Sequence, residues 1–283
     1  MIGSERLQPR RTAAMGILAS LLESRTGQLI APNRTWRIET ALKPLLRARG
    51  LATLDDLVEQ LVADSGGVLG DMIVDALLNQ ETSFFRDAGT MESVIEMTRD
   101  ITDRRARLWS AACSTGQEPL SLAMLVAERA EQGGGPAPEI IATDVSDAAL
   151  RRARAGRYSA FEVQRGLPVR RMIRWFDADG ETWVAKPELV QTISYRRHNL
   201  VNDAAPAGGF DVILCRNVMM YLSLELRQRI LDRLARALRP GGVLVLGAGE
   251  TVIGQGDTFV PSVRAKGFYE RAIAAPPRSG ANG

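Results

Sequence analysis

The chain has 283 residues, 45% of them hydrophobic and 24% charged, a composition typical of a globular protein with a substantial core. Its net charge of +3 at pH 7 is too small to predict nucleic-acid binding. No apolar run approaches the roughly 18 residues of a membrane span, and the N-terminal segment lacks the uninterrupted apolar stretch of a signal peptide. We therefore expect a cytoplasmic protein in which the two cysteines, Cys113 and Cys215, are reduced thiols.

A small all-α domain is predicted for residues 1–80, where apolar residues recur at helical spacing and no strand pattern occurs. Thr53 with Asp56 three residues later is typical of a capping box at a helix start. Pro44 is expected to kink or restart the second helix. The apolar stripes consist of Ile17, Leu18, Leu21 and Leu22 and of Trp36, Ile38, Leu42, Leu45 and Leu46.

The second predicted helix carries a basic face, formed by Arg34, Arg37, Lys43, Arg47 and Arg49. Two interpretations remain open for it. It is a solvated helix face, or it docks an acidic helix of a partner through charge complementarity.

From residue 107 onward, strands alternate with helices, which predicts a mostly parallel sheet covered by helices on both faces. Such sheets bind ligands beyond the carboxyl ends of their strands, at the point where the direction of the connections reverses. The predicted strands are RLWSAA, EIIATD, FDVILCR and VLVLGA, followed by a final pair in TFVPSV and KGFYERAI.

One block interrupts this alternation, and we predict a small antiparallel subdomain inserted at about residues 170–197. It contains short strands around an Asp179-Gly180 turn, with further strand candidates at Trp183-Val184 and Ile193–Tyr195. The enclosing domain is predicted to span residues 81–273, and residues 274–283 to form a disordered tail.

A turn of small residues follows the first strand, at Ala112–Gln117. Its small positions are Ala112, Ser114 and Gly116, which fit a pyrophosphate-binding G-x-G-x-x-G pattern poorly. A ligand without phosphates, such as S-adenosylmethionine, needs fewer glycines. The alternative is an ordinary turn between strand and helix.

Asp144 ends the second strand of the series. A carboxylate in this place can accept two hydrogen bonds from ribose hydroxyls. Alternatively, Asp144 caps the following helix, although Ser146 is better placed for that role.

Polar residues also border the third strand and the junction of the two domains. Arg216 and Asn217 follow a buried strand, with Tyr221 close behind, and either wall a ligand or form a loop with local hydrogen bonds. Phe84-Phe85 is expected to anchor the junction by burial, so that Arg86 points into a cleft, unless the segment is a linker with a solvent-facing arginine.

His198 is the only histidine in the chain, so a metal site or a serine triad is not expected. We interpret His198 as a structural or peripheral residue.

Six motifs, in this order and spacing, resemble those of the chemotaxis receptor methyltransferases of the CheR type, from about residue 15 to residue 271. The resemblance implies a helical domain followed by a Rossmann-like α/β domain of the class I S-adenosylmethionine-dependent methyltransferases, with a small inserted antiparallel β-subdomain. The motifs are NQETSFFRD, SAACSTGQEPLSLAM, ATDVSDAAL, EVQRGLP, RHNL and CRNVMMYL.

The resemblance also implies an activity, which is transfer of the methyl group of S-adenosylmethionine to glutamate side chains on the cytoplasmic helices of chemoreceptors. The products are glutamyl methyl esters and S-adenosylhomocysteine, and no metal takes part. A glutamate is already ionised at neutral pH, so the acceptor needs no general base. The protein is then expected to be a cytoplasmic monomer that meets the membrane only through the receptor and binds no nucleic acid.

By position, the resemblance assigns Arg86 and Tyr221 to catalysis. Gln80 stands where some members carry an asparagine, although Asn79 is adjacent, and Gln117 stands where many carry glutamate. The residues assigned to the cofactor are Gln80, Thr82, Arg86, Ala112, Gly116, Gln117, Asp144, Asn199, Leu200, Arg216 and Asn217.

Two other functions compete with this one. A non-catalytic protein could sense S-adenosylmethionine or scaffold a chemosensory array, but Arg86, Asp144, Asn217 and Tyr221 are all in place. A methyltransferase for nucleic acids or small molecules is the other, but the Asn/Asp-Pro-Pro-Tyr segment common in such enzymes is absent.

Overall fold

The computed structural model describes residues 7–64, 67–133 and 135–272. The predicted disordered tail, 274–283, lies outside these ranges. No helix among the described residues is long and apolar enough to cross a bilayer.

Between residues 7 and 77, the described part of the chain folds as four α-helices around their own apolar core. Thr53 accepts a hydrogen bond from the Asp56 backbone amide while the Asp56 carboxylate accepts one from Thr53, so the predicted capping box is confirmed. The second helix runs unbroken through Pro44 and does not restart there. The helices are α1 (Leu7–Thr26), α2 (Trp36–Arg49), α3 (Leu54–Ala63) and α4 (Val68–Leu77), with a 3-10 turn at Pro32–Arg34. Their shared core includes Leu18, Leu22, Ile38, Leu42, Leu57 and Ile73.

The remainder alternates strands and helices, as the sequence predicts. The elements are α5 (Ala88–Met97), β1 (Arg107–Ala111), α6 (Gln117–Glu131), β2 (Glu139–Asp144), α7 (Asp147–Ala155), β3 (Arg157–Ser159), α8 (Ala160–Gln164), α9 (Val169–Trp175), β4 (Phe176–Asp179), β5 (Thr182–Ala185), α10 (Pro187–Val190), β6 (Ile193–Arg197), β7 (Phe210–Cys215), a 3-10 turn (Met219–Tyr221), α11 (Leu224–Ala237), β8 (Leu238–Val245), β9 (Phe259–Pro261) and β10 (Phe268–Arg271).

Seven strands form the main sheet, in the order β6-β2-β1-β7-β8-β10-β9. The first five are parallel, and β10 pairs antiparallel with both β8 and β9. The chain moves from β1 towards β6 in one direction and from β7 towards β9 in the other. The connections therefore diverge between β1 and β7, which opens a crevice at the carboxyl ends of these strands.

A separate three-stranded sheet, ordered β3-β5-β4, forms the inserted subdomain. The predicted insertion at 170–197 was wrong at both ends. It misses β3, and it includes Ile193–Tyr195, which belongs to β6 and pairs parallel with β2 in the main sheet. Along β6, buried Ile193 and half-buried Tyr195 alternate with exposed residues, which is the pattern typical of an antiparallel strand.

Phe84 fastens the subdomain to the segment that joins the two parts of the chain. Its ring meets the rings of Tyr158 and Phe176 edge-on, with centroids 5.0 and 5.5 Å away. Gly166 lies so close that a Cβ there would approach the Phe84 carbonyl oxygen to 2.2 Å, and its φ of +95° also favours glycine. Phe84 and Phe85 are both buried, which confirms the predicted anchor.

A buried carboxylate holds the opposite, amino-terminal side of the sheet together. Asp211 accepts two hydrogen bonds from Arg104, at 2.6 and 2.8 Å, one from the Arg107 backbone amide and one from Arg239. Burial by itself raises the pKa of Asp211, but these hydrogen bonds and charges hold it below its usual value.

We expect Asp211→Ala to lower the free energy of unfolding by about 3 kcal/mol at pH 7, because removing one partner leaves the arginines without their shared acceptor. The folded-state pKa lies below the ordinary value of 3.8, so this stabilisation exists above that value and is lost as pH falls through the folded-state pKa. Urea unfolding measures it. Asp177→Ala, at an exposed position of β4, is the matched control, and equal stabilities of the two variants would refute the prediction.

Candidate active site

A cleft opens at the carboxyl ends of β1, β2 and β7, where the connections diverge. Most of the predicted site residues line it, although they are scattered in the sequence, because parallel strands end at one edge of a sheet. Those that line the cleft are Gln80, Thr82, Arg86, Ala112, Asp144, Asn199, Leu200, Arg216, Asn217 and Tyr221.

Gly116 and Gln117 do not line the cleft, although both were predicted to bind the cofactor. Gly116 faces α7, and a Cβ there would lie 2.7 Å from the Cβ of Ala153. Gln117 is only 1% exposed, and its side-chain oxygen accepts a hydrogen bond from the Thr115 hydroxyl. Both residues therefore support the turn after β1 from the side that faces away from the cleft.

Backbone strain is concentrated around the cleft. Among the described residues, the non-glycine residues with left-handed φ values, between 48° and 59°, all lie in three segments that border it. Each such residue costs on the order of 1–3 kcal/mol and persists only where the surroundings hold it. The residues are Phe85, Asp87, Ala112, Ser114 and Asn217.

Asp144 lies at the end of β2 with its carboxylate buried. One oxygen accepts from the Ser114 backbone amide at 2.8 Å and the other from the Ser146 amide at 2.9 Å. Each oxygen retains a further lone pair that a hydroxyl group can use. Burial raises the pKa of Asp144, and the backbone hydrogen bonds oppose that shift. Ser146, not Asp144, caps α7 by accepting from Ala149.

The two arginines of the cleft differ in whether their guanidinium groups are hydrogen-bonded and ion-paired. The Arg216 side chain is 2% exposed, pairs with Glu118 at 3.0 Å and with Asp87, and donates to the Arg86 carbonyl. By contrast, within residues 7–64, 67–133 and 135–272 the Arg86 guanidinium makes neither a hydrogen bond nor an ion pair within 4 Å. Arg216 is therefore part of the wall, and Arg86 is free to meet an anionic group.

Tyr221 is held by a residue that the sequence analysis did not assign. The Asn79 side-chain amide donates to the Tyr221 hydroxyl, which can still donate its own proton. Gln80 also lines the cleft, but its amide donates to the Asp75 carbonyl and to the Ser146 hydroxyl. The adjacency of Asn79 to Gln80 was the only signal in the sequence.

The helical part of the chain contributes one wall of the cleft, which the motifs did not reveal. Thr26 and Gln28 line it. The Asn199 side-chain amide donates to the Arg25 carbonyl at 2.7 Å, and the Leu29 amide donates to the Tyr221 carbonyl at 2.8 Å. The end of α1 and the segment after it thus bridge the loops that follow β6 and β7.

Glu118 is a second residue that the sequence analysis missed. It lines the cleft at the start of α6, accepts from the Ser110 hydroxyl at 2.7 Å and pairs with Arg216. The sequence carries a signal for it, because Glu118 stands directly beside Gln117, which the resemblance assigns to the cofactor.

His198 lines the cleft, so it is not peripheral. Its Nε2 lies 3.0 Å from the Ala204 carbonyl oxygen, and its ring meets that of Trp109 edge-on. Burial lowers the pKa of His198, which favours a neutral, structural ring.

Cys113 and Cys215 are buried free thiols whose pKa values are raised by that burial. In the described part of the chain no three residues of types His, Cys, Asp or Glu cluster as a metal site.

The diverging sheet with its antiparallel β10, the acidic end of β2 and the turn of small residues after β1 define a class I S-adenosylmethionine-dependent methyltransferase. The family model described as "CheR methyltransferase, SAM binding domain" matches residues 80–266. The chain belongs to the CheR methyltransferase family, and the predicted fold class and family are confirmed.

Several bacterial relatives share most of their length with this chain. "Chemotaxis protein methyltransferase Cher2" of Pseudomonas putida is 35% identical, over 84% of this chain and 90% of that protein. "Chemotaxis protein methyltransferase 1" of Pseudomonas aeruginosa is 36% identical, over 89% and 94%. "Chemotaxis protein methyltransferase" of Vibrio parahaemolyticus is 36% identical, over 84% and 89%.

Proposed function

We propose that this enzyme transfers the methyl group of S-adenosylmethionine to glutamate side chains on the cytoplasmic helices of chemotaxis receptors, forming glutamyl methyl esters. The observation that carries the proposal is the Arg86 guanidinium, which makes no hydrogen bond or ion pair within 4 Å in the described structure and lines the same cleft as Tyr221 in a member of the CheR methyltransferase family. A cation without a hydrogen-bonded counterion at this place suits an anionic acceptor, and the names of the relatives indicate chemotaxis proteins as the substrates of those enzymes.

The residues of the cleft fit S-adenosylmethionine. The Asp144 carboxylate has lone pairs left for both ribose hydroxyls, and the loop at Asn199-Leu200 supplies a polar and an apolar side chain for the adenine. Ala112 keeps the end of β1 open, because its methyl group is small. The cofactor supplies an activated methyl group on a sulfonium ion.

The acceptor requires little chemical help. A glutamate side chain, with an ordinary pKa near 4.3, is a nucleophilic anion at neutral pH, so no general base is needed. The protein has to align the carboxylate for in-line displacement and exclude water, which can supply roughly 7–11 kcal/mol. Arg86 positions the carboxylate, and the Tyr221 hydroxyl, held by Asn79, donates a hydrogen bond near the methyl group.

The proposed acceptors lie on cytoplasmic helices of the receptor, and this location determines the compartment and the partners that we propose for the enzyme. It acts in the cytoplasm as a monomer, binds no nucleic acid and meets the membrane only through the receptor. Arg34, Lys43, Arg47 and Arg49 are exposed on or beside α2, so the basic face remains available to an acidic receptor helix.

A labelling experiment tests the proposal. The enzyme is incubated with methyl-tritiated S-adenosylmethionine and, separately, with receptor cytoplasmic fragments, RNA or a small-molecule extract. We expect label in the receptor fragments only, released as methanol by mild alkali because the product is an ester. Label in RNA or small molecules, or none in receptor fragments that a related enzyme does methylate, would contradict the proposal.

A further inference from the structure

One carboxylate outside the cleft organises its wall. Glu250, in the loop after β8, accepts hydrogen bonds from three backbone amides. Its Oε2 accepts from Asn217 at 2.6 Å and from Gly247 at 2.9 Å, and its Oε1 accepts from Met219 at 2.8 Å. Glu250 does not line the cleft, but two of its donors belong to residues 216–222, the segment that carries Asn217 and Tyr221.

The segment depends on such a partner for its conformation. Asn217 has a left-handed φ of 59°, a conformation that asparagine adopts more readily than most non-glycine residues, and then as a single residue held by its surroundings. Its side-chain amide lies against Gly247, where a Cβ would come within 2.8 Å of the Asn217 side-chain nitrogen. Met219 begins the 3-10 turn that ends at Tyr221. Glu250 thus holds the left-handed residue and the start of the turn at the same time.

The chemistry of these contacts requires an acid. An ionised carboxylate only accepts hydrogen bonds, and its two oxygens can serve three donors. Hydrogen bonds to a charged acceptor are also roughly twice as strong as neutral ones. A glutamine would turn an NH₂ group towards at least one backbone N–H, which would lose its partner.

We propose that Glu250 is a positioning residue for methyl transfer, which sets Asn217 and Tyr221 at the cleft wall through the backbone of residues 216–222. Glu250 lies outside the lining of the cleft, so its effect on the site passes through this backbone. The inference rests on methyl transfer at this cleft, but not on which acceptor is used.

Glu250→Gln tests the inference, with Glu225→Gln, an exposed acid in the first turn of α11, as the matched control. We expect the kcat/KM for methyl transfer to fall 10- to 100-fold, as a small misplacement in an active site does. Backbone hydrogen exchange in residues 216–222 should become at least 10-fold faster. The control should match the wild type in both measurements.

Titration with S-adenosylhomocysteine separates positioning from a general loss of stability and needs no acceptor. We expect Glu250→Gln by itself to raise the Kd for S-adenosylhomocysteine about 10-fold. In an Asn217→Ala background the same change should raise this Kd less than 3-fold, because both substitutions act on the contact between Asn217 and the ligand. The inference would be overturned if the losses of affinity multiplied in the double variant. It would also be overturned if Glu250→Gln left backbone hydrogen exchange in residues 216–222 unchanged. If receptors are not methylated but exchange and Kd change as expected, the acceptor assignment fails and the role of Glu250 stands.

Discussion

Arg86→Ala is expected to lower the kcat/KM for methyl transfer by about 10³-fold while leaving the fold intact. In the described structure Arg86 makes no hydrogen bond or ion pair within 4 Å, whereas Arg216 is paired with Glu118 and Asp87. Removing one preorganised group that faces developing or reacting charge costs on the order of 10²–10³-fold in known enzymes. The fold should survive, because no ion pair or hydrogen bond of the Arg86 side chain is lost.

The assay follows transfer of a tritiated methyl group to receptor fragments, and thermal unfolding checks the fold. Arg86→Lys keeps the charge but not the planar fork of the guanidinium, so we expect it to recover only part of the activity. Arg99→Ala, which removes an exposed arginine paired with Glu96 on α5's C-terminal side, is the control. Unchanged turnover of Arg86→Ala would exclude the proposed role.

Asp144→Ala is expected to weaken cofactor binding by about 10²–10⁴-fold. The carboxylate is placed to accept two hydroxyl hydrogen bonds, and a hydrogen bond to a charged group contributes about 1.5–3 kcal/mol. The change also removes the acceptor of the Ser114 and Ser146 amides, which hold the turn after β1. Calorimetric titration with S-adenosylhomocysteine measures the loss. Asp147→Ala, an exposed acid in the next helix, is the control.

Cofactor binding should also depend on pH through Asp144. The ionised form is the one that accepts from both hydroxyls, and burial raises its pKa above the ordinary 3.8. As pH falls, affinity should therefore begin to drop at a higher pH than an exposed aspartate would allow. Two results would show that Asp144 does not bind the ribose. Either Asp144→Ala binds S-adenosylhomocysteine with wild-type affinity, or the affinity falls over the same acidic pH range in the wild type and in Asp144→Ala.

Local patterns were sufficient for much of the fold. The alternation of apolar strands and amphipathic helices predicted the parallel sheet, and the capping box at Thr53 and the burial of Phe84 were confirmed. The convergence of Ala112, Asp144 and Arg216 on one cleft also followed from the sequence. The reason is that parallel strands place their carboxyl ends at one edge, whatever their distance along the chain.

The sequence by itself therefore determined the fold class, the family and the edge of the sheet at which the site lies, because these depend on local periodicity and motif order. Only the tertiary structure decided that Ile193–Arg197 joins the main sheet, that Arg86 and not Arg216 is free, and that Glu250 supports the cleft wall. Each of these depends on a partner far away in the sequence. Strand pairing, ion pairing and hydrogen bonding of that kind leave no periodic trace in the chain.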